Sequence, residues 1–181
     1  MNSKLLKKNL KLVLSKKEIS QKIKELAKKI EKDYKDEPLI FIGTLKGAFI
    51  FLADLIRNIK NPNVEIDFVR VRSYGFSDTS SGKVEITKDI EVSLEGKNVI
   101  LVEDIVDTGI TLEFLYNYIK SLNPKSLKIC VLIDKKERRK VSIPIDYVGF
   151  EIEKGFLVGY GLDFAEKYRH LPHIKEVIKN E

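Results

Sequence analysis

Three carboxylates, Glu103, Asp104 and Asp107, crowd into five positions of the stretch NVILVEDIVDTGIT, Asn98 to Thr111. Two hydroxyl residues, Thr108 and Thr111, and a glycine, Gly109, follow at once. A turn of this composition at the start of a helix binds phosphate, because the first helical N–H groups have no partner within the helix and the helix end carries partial positive charge. Gly109 lets a phosphate approach the backbone. Carboxylates beside that phosphate would repel it; they fit the task if they hold sugar hydroxyls or a divalent cation instead. The pattern points to a ligand with both a phosphate and a ribose. Helix capping would use one carboxylate. Three, two of them adjacent at the end of an apolar run, exceed that need.

The elements that must position these groups can be read around them. Val99 to Val102 is an apolar run with the pattern of a buried parallel strand, and the acids fall just past its end, where open α/β sheets bind ligands. Leu112, Leu115, Tyr116 and Ile119 predict a helix over Thr111 to Leu122. Upstream, Leu10 to Leu14 reads as a short strand, and the capping-box spacing of Ser15 and Glu18 opens an amphipathic helix from about Lys16 to Asp33. Leu39 to Ile42 is a strand, Gly43 to Gly47 a turn, and Ala48 to Ile56 a helix. Val64 to Val71 and Val84 to Val92 read as strands either side of a polar loop, Ser73 to Gly82. Leu127 to Ile133 and Tyr147 to Ile152 complete the strands, and the tail from Ala165 to Glu181 is read as partly helical. This succession predicts an α/β fold with a mostly parallel central sheet flanked by helices.

At 181 residues and 43% hydrophobic content, the chain is sized for one domain with a sizeable core. No apolar run is long enough to span a membrane, and the lysine-rich start lacks the apolar stretch of a secretory signal. A single cysteine, Cys130, sits in an apolar run and reads as a small buried hydrophobe; a reducing, cytoplasmic compartment fits. The net charge of +6 favours anionic partners, though a solvated lysine surface explains most of it. His170 and His173 read as surface histidines.

VILVEDIVDTGIT resembles the signature of the type I phosphoribosyltransferases. IGTLKGAFIFLADL, VRSYG, VLIDKKERR, DYVGFEI and FLVGYGLDFAEKYRHLP, in that order, are similar to the hypoxanthine-guanine branch of that family. The resemblance implies a single domain over 1–181: a type I phosphoribosyltransferase core at about 15–148, a small hood from about 1–14 and 149–181, and a flexible lid loop. It implies transfer of the phosphoribosyl group of phosphoribosyl pyrophosphate (PRPP) to hypoxanthine or guanine, giving IMP or GMP and pyrophosphate. Glu103 and Asp104 would hold the ribose hydroxyls, directly or through Mg²⁺, and Asp107 would be the general base near purine N7. Thr108, Gly109 and Thr111 would cradle the 5′-phosphate. Leu45, Lys46, Gly47 and Arg169 would bind pyrophosphate, the peptide between Leu45 and Lys46 being often cis in the family. Lys135 would donate to purine O6, Phe156 would stack on the ring, and Leu157 would contact the base through its backbone. Asp163 would sit near a second Mg²⁺ and the purine edge, and Ser73 and Tyr74 would belong to the lid. Family members form homodimers and homotetramers. Position 110 is Ile where many relatives carry a polar residue, which bears only on a side-chain contact to the phosphate.

Taken singly, several of these residues have plainer readings: Lys46 as a loop lysine, Phe156 as core, Asp163 as a turn residue, Lys135 as a solvated member of the KKERRK cluster Lys135 to Lys140. That cluster and the positive charge support an alternative, an RNA-binding regulatory protein on the same fold; nucleic acid is nonetheless not the expected partner. A xanthine-preferring enzyme is a further alternative. Adenine lacks the O6 acceptor that Lys135 would need.

Overall fold

The computed structural model describes residues 9–74 and 83–178. In chain order they form β1 (Leu10–Leu14), α1 (Lys16–Tyr34), β2 (Leu39–Leu45), α2 (Phe49–Ile56), β3 (Val64–Tyr74), β4 (Lys83–Lys88), β5 (Asn98–Val106), α3 (Ile110–Ser121), β6 (Ser126–Lys135), β7 (Tyr147–Ile152), β8 (Leu157–Val158) and β9 (Ile174–Val177). Six strands make one sheet in the order β4-β3-β2-β5-β6-β7, parallel except for the β3–β4 edge pair. Both faces are covered, so alternate residues of β2 enter different cores. Leu39 and Phe41 pack with α1 and α2, Ile40 and Ile42 with α3.

β2 and β5 lie side by side at the centre, and the chain winds outward from them in opposite directions. The ends of these two strands therefore form the switch point, where the following loops diverge and leave a crevice. Leu45 to Gly47 leaves from one strand, Asp107 to Gly109 from the other.

β1, β9 and β8 form a separate antiparallel sheet, the hood. It closes over the α1 and α2 side, where Leu157, Tyr160, Leu162 and Ile174 join that core. The large sheet runs to Ile152, because β7 pairs in register with β6.

Four expectations need correction. Glu103 and Asp104 lie inside β5 and not past its end, because β6 extends alongside and keeps the ladder paired through Val106 and Asp134. β4 stops at Lys88 and not Val92: the backbone N–H groups of Glu91 and Val92 turn away to donate to Asp67. The tail holds no helix among its described residues; Ala165, Glu166 and Tyr168 take left-handed backbone angles incompatible with one, and the chain then pairs as β9. His173 is partly buried, its Nε2 enclosed without a hydrogen-bond partner. The capping box at α1 does form, with Ser15 N–H donating to Glu18 at 2.8 Å and Glu18 N–H to the Ser15 hydroxyl at 3.3 Å.

Candidate active site

β5 delivers its acids in a buried strand. Glu103 and Asp104 are each only 8% exposed. Burial, and then repulsion from Asp104, push the Glu103 carboxyl well above the ordinary range. Burial also pushes Asp104 up, against opposing help from hydrogen bonds and the charge of Arg169. Two buried neighbouring carboxylates of this kind offer hard oxygen donors whose charge is incompletely compensated, which suits a divalent cation. No group of three or more His, Cys, Asp or Glu side chains able to hold a metal occurs among the described residues, so a cation here would complete its shell with substrate oxygens and water. Thr44, at the adjoining end of β2, is also buried, its hydroxyl directed at Glu103.

Beyond β5 the chain turns through Asp107 to Gly109 into α3. Gly109 itself is the N-cap, at φ 85°, and the Thr108 hydroxyl accepts the Ile110 N–H at 3.4 Å, so none of the three carboxylates is spent on capping. A Cβ at Gly109 would meet Val141 at 2.7 Å as well as strain the backbone. Glu103, Thr108, Gly109 and Thr111 line a hollow of about 130 Å³ at this helix start, a volume suited to one phosphate group.

Asp107 faces the end of β6. Its Oδ1 lies 3.5 Å from Lys135 Nζ and its Oδ2 3.2 Å from Arg138. Lys135 is buried, and its Nζ is also 3.4 Å from Glu137, whose carboxylate accepts the Gly155 N–H at 3.4 Å. Glu137 thus ties the end of β6 to the start of the Phe156 segment. Phe156 is half exposed and meets Phe164 edge-on at 5.5 Å, and Leu157 is buried in β8.

Across the crevice, the peptide between Leu45 and Lys46 is cis. Gly47 presses so closely on β5 that a Cβ there would lie 1.9 Å from an Asp104 carboxylate oxygen. Gly161 in turn packs on Gly47, a Cβ there meeting the Gly47 carbonyl at 2.0 Å. Arg169 donates to the Gly161 carbonyl at 2.7 Å and to Asp163 at 2.8 Å. The hood segment is therefore stacked on the Leu45–Gly47 turn, which is stacked on Asp104.

A family profile described as "Phosphoribosyl transferase domain" matches residues 10–165. The chain belongs to the phosphoribosyltransferase family. A hypoxanthine-guanine phosphoribosyltransferase of Aquifex aeolicus is 51% identical over 168 residues, 92% of this chain and 94% of that one. One from Bacillus subtilis is 47% identical over 164 residues, 91% of each. Among solved structures, a Bacillus anthracis hypoxanthine-guanine phosphoribosyltransferase superposes with a TM-score of 0.89 at 50% identity, covering 94% of this chain and 99% of that one. A Staphylococcus aureus hypoxanthine phosphoribosyltransferase gives 0.90 at 41% identity, covering 98% and 96%. The family branch is the hypoxanthine-guanine one.

The phosphoribosyltransferase residues singled out by sequence mostly converge. Glu103, Asp104, Asp107, Thr108, Gly109 and Thr111 share one strand end and turn, Lys135 meets Asp107, and Gly47 meets Asp104. Arg169 acts on Asp104 through its charge. The two oxygens of Asp163 take Arg169 and the Glu166 N–H. Ser73 and Tyr74 end β3, while the rest of the expected lid falls on residues 75–82, outside the described residues. Sequence reasoning missed Thr44, Asp134, Glu137 and Glu166. Asp134 left a signal, a carboxylate closing the apolar run VLID; it is 3% exposed and binds Lys136 and Arg139.

Proposed function

We propose that this chain transfers the 5-phosphoribosyl group of PRPP to N9 of hypoxanthine or guanine, releasing pyrophosphate and IMP or GMP. The observation that carries this reading is Lys135, a buried cation held 3.5 Å from Asp107 at the edge of the phosphate hollow. A lysine placed there is an expensive residue to bury. It makes sense as the donor to a purine O6, with Asp107 accepting the proton that N7 releases as N9 attacks. General-base assistance of this type is typically worth about 10²–10⁴-fold.

The 5′-phosphate occupies the hollow at the start of α3, held by Thr108, Gly109 and Thr111. Glu103 and Asp104 hold the ribose hydroxyls and would hold Mg²⁺, which would supply charge neutralisation for the leaving group. Lys46, the Leu45–Gly47 backbone and Arg169 receive the pyrophosphate and stabilise it as it departs. Phe156, half exposed at the mouth, stacks on the purine, and Leu157 presents its backbone to the base edge. Asp163 acts through Arg169, which it orients. A cytoplasmic homodimer or homotetramer suits the branch. Phe49, exposed at the start of a helix that is apolar nearly all round, supports self-assembly.

The RNA-binding alternative draws no support from the KKERRK cluster, since Lys135, Lys136, Arg138 and Arg139 are all engaged by carboxylates. Product formation from PRPP with hypoxanthine, guanine, xanthine and adenine in parallel tests the proposal. IMP and GMP should form readily and AMP should not. Adenine used as well as hypoxanthine would remove Lys135 from base recognition.

A further inference from the structure

The two cations assigned to pyrophosphate are already clasped by one carboxylate. Glu166 Oε2 lies 2.8 Å from Lys46 Nζ, and its Oε1 lies 3.3 Å from Arg169 Nη2. Each oxygen thus takes one cation, the arrangement in which a bridging phosphate group would be held. We propose that Glu166 is a built-in competitor for the pyrophosphate group: a side chain that stands in for the anion and must leave when PRPP or pyrophosphate arrives. The inference rests on the assignment of Lys46 and Arg169 to pyrophosphate above.

Three features set Glu166 up to be displaced. Its side chain is 65% exposed and that of Lys46 is 48% exposed, so both return to water at small cost. The clasp is real enough to hold the Glu166 carboxyl below its usual range, Lys46 and then Arg169 being the causes. The carboxylate rides on a short left-handed run, Ala165 at φ 51° and Glu166 at φ 62°, anchored on either side by Asp163 and Arg169. Asp163 accepts the Glu166 N–H at 2.8 Å, which fixes the backbone and leaves the side chain to swing. Two anions cannot share Lys46 without repulsion, so every ligand bearing pyrophosphate binds against this contact. A nucleoside monophosphate carries no pyrophosphate to compete for it. Glu166 therefore weakens PRPP and pyrophosphate selectively, and so favours departure of the product pyrophosphate.

Dissociation constants for pyrophosphate, PRPP and IMP, each with Mg²⁺, on the parent chain, Glu166→Gln, Lys46→Ala and the double variant test this. Glu166→Gln should bind pyrophosphate and PRPP about 3- to 10-fold tighter, as expected for losing exposed ion pairs. IMP affinity and the purine KM should not move, and pyrophosphate should become a stronger product inhibitor. In the Lys46→Ala background the gain should shrink. Glu166→Asn, a residue type at ease in left-handed backbone, should repeat the result and exclude a folding effect. Unchanged or weaker pyrophosphate binding by Glu166→Gln, with Lys46→Ala still losing affinity, overturns the competitor and leaves the pyrophosphate site standing. If Lys46→Ala loses none, the site assignment falls and this inference with it.

Discussion

Asp67 on β3 and the Glu103–Asp104 pair on β5 are carboxylates at nearly equal burial, 9% against 8% and 8% exposed, with opposite electrostatics. Burial alone would raise all three. At Asp67 it is outweighed: Phe68, Glu91 and Val92 donate backbone N–H groups and Lys88 its ammonium, and the carboxyl is held below its usual range. At Glu103 and Asp104 the protein supplies much less, and both are pushed up. The first is a charge the fold has completed. The second is a charge left for something the fold does not contain. A strand can carry either, and the distinction lies in what the neighbouring loops bring to it.

Asp107 is met by Lys135 and Arg138 rather than by backbone donors. If it belongs with the chemistry, Asp107→Asn should lower kcat by about 10²–10⁴-fold, with PRPP affinity much less affected. Single-turnover rates beside PRPP titrations check this. Loss of thermal stability with unchanged turnover would move Asp107 to the side of Asp67.

The converse experiment is Asp67→Asn. The exchange removes a charge from buried N–H groups that hold the Glu91–Val92 segment, and should cost about 2–4 kcal/mol of stability. For a domain of this size that corresponds to a Tm lower by roughly 10 °C. The catalytic constants per folded molecule should stay at the parent values. A selective rise in PRPP KM would show that this carboxylate, too, communicates with the site.

Much of this contrast was legible in the sequence, but not all of it. The run from Glu103 to Thr111 is contiguous, so strand, acids and helix start could be read together. The parallel core followed from apolar runs such as Val99 to Val102. What the sequence could not supply were meetings across long separations. Glu166 reaches Lys46 where Gly161 packs on Gly47. Asp67 reads like any alternating strand residue until Glu91 and Val92 turn back upon it. The helical reading of the tail failed for a local reason, the left-handed residues at 165, 166 and 168, none of which is a glycine that would have advertised them.

Lys135 sharpens the comparison from the cationic side. It is buried against carboxylates, whereas Lys46, across the crevice, is exposed. Lys135→Ala should raise the KM for hypoxanthine and guanine by about 10- to 100-fold, the scale of one hydrogen bond from a charged donor. PRPP affinity should change little. Equal losses for both substrates would mean that Lys135 serves by holding Asp107 rather than by reading the base.

The smallest effect tests the electrostatics of the pair itself. Glu103 has a folded-state pKa above its unfolded one, so between the two the native chain binds more protons than the unfolded chain. Stability contributed by this group is therefore present at low pH and is lost as pH rises from about the ordinary glutamate value, near 4.5, toward the raised one. Asp67 runs the other way: its contribution is present above the usual aspartate value, near 3.8, and is lost as pH falls through its depressed one. Glu103→Gln removes the first dependence and keeps the second. Relative to the parent, the variant should gain stability as pH rises above about 4.5, then level off. Denaturant unfolding of metal-free protein at a series of pH values measures the difference directly. Mg²⁺ with PRPP should restore the parent and not the variant, because a bound cation stabilises the charged carboxylate. Parallel stability curves for the two proteins would mean that Glu103, like Asp67, is completed by the fold.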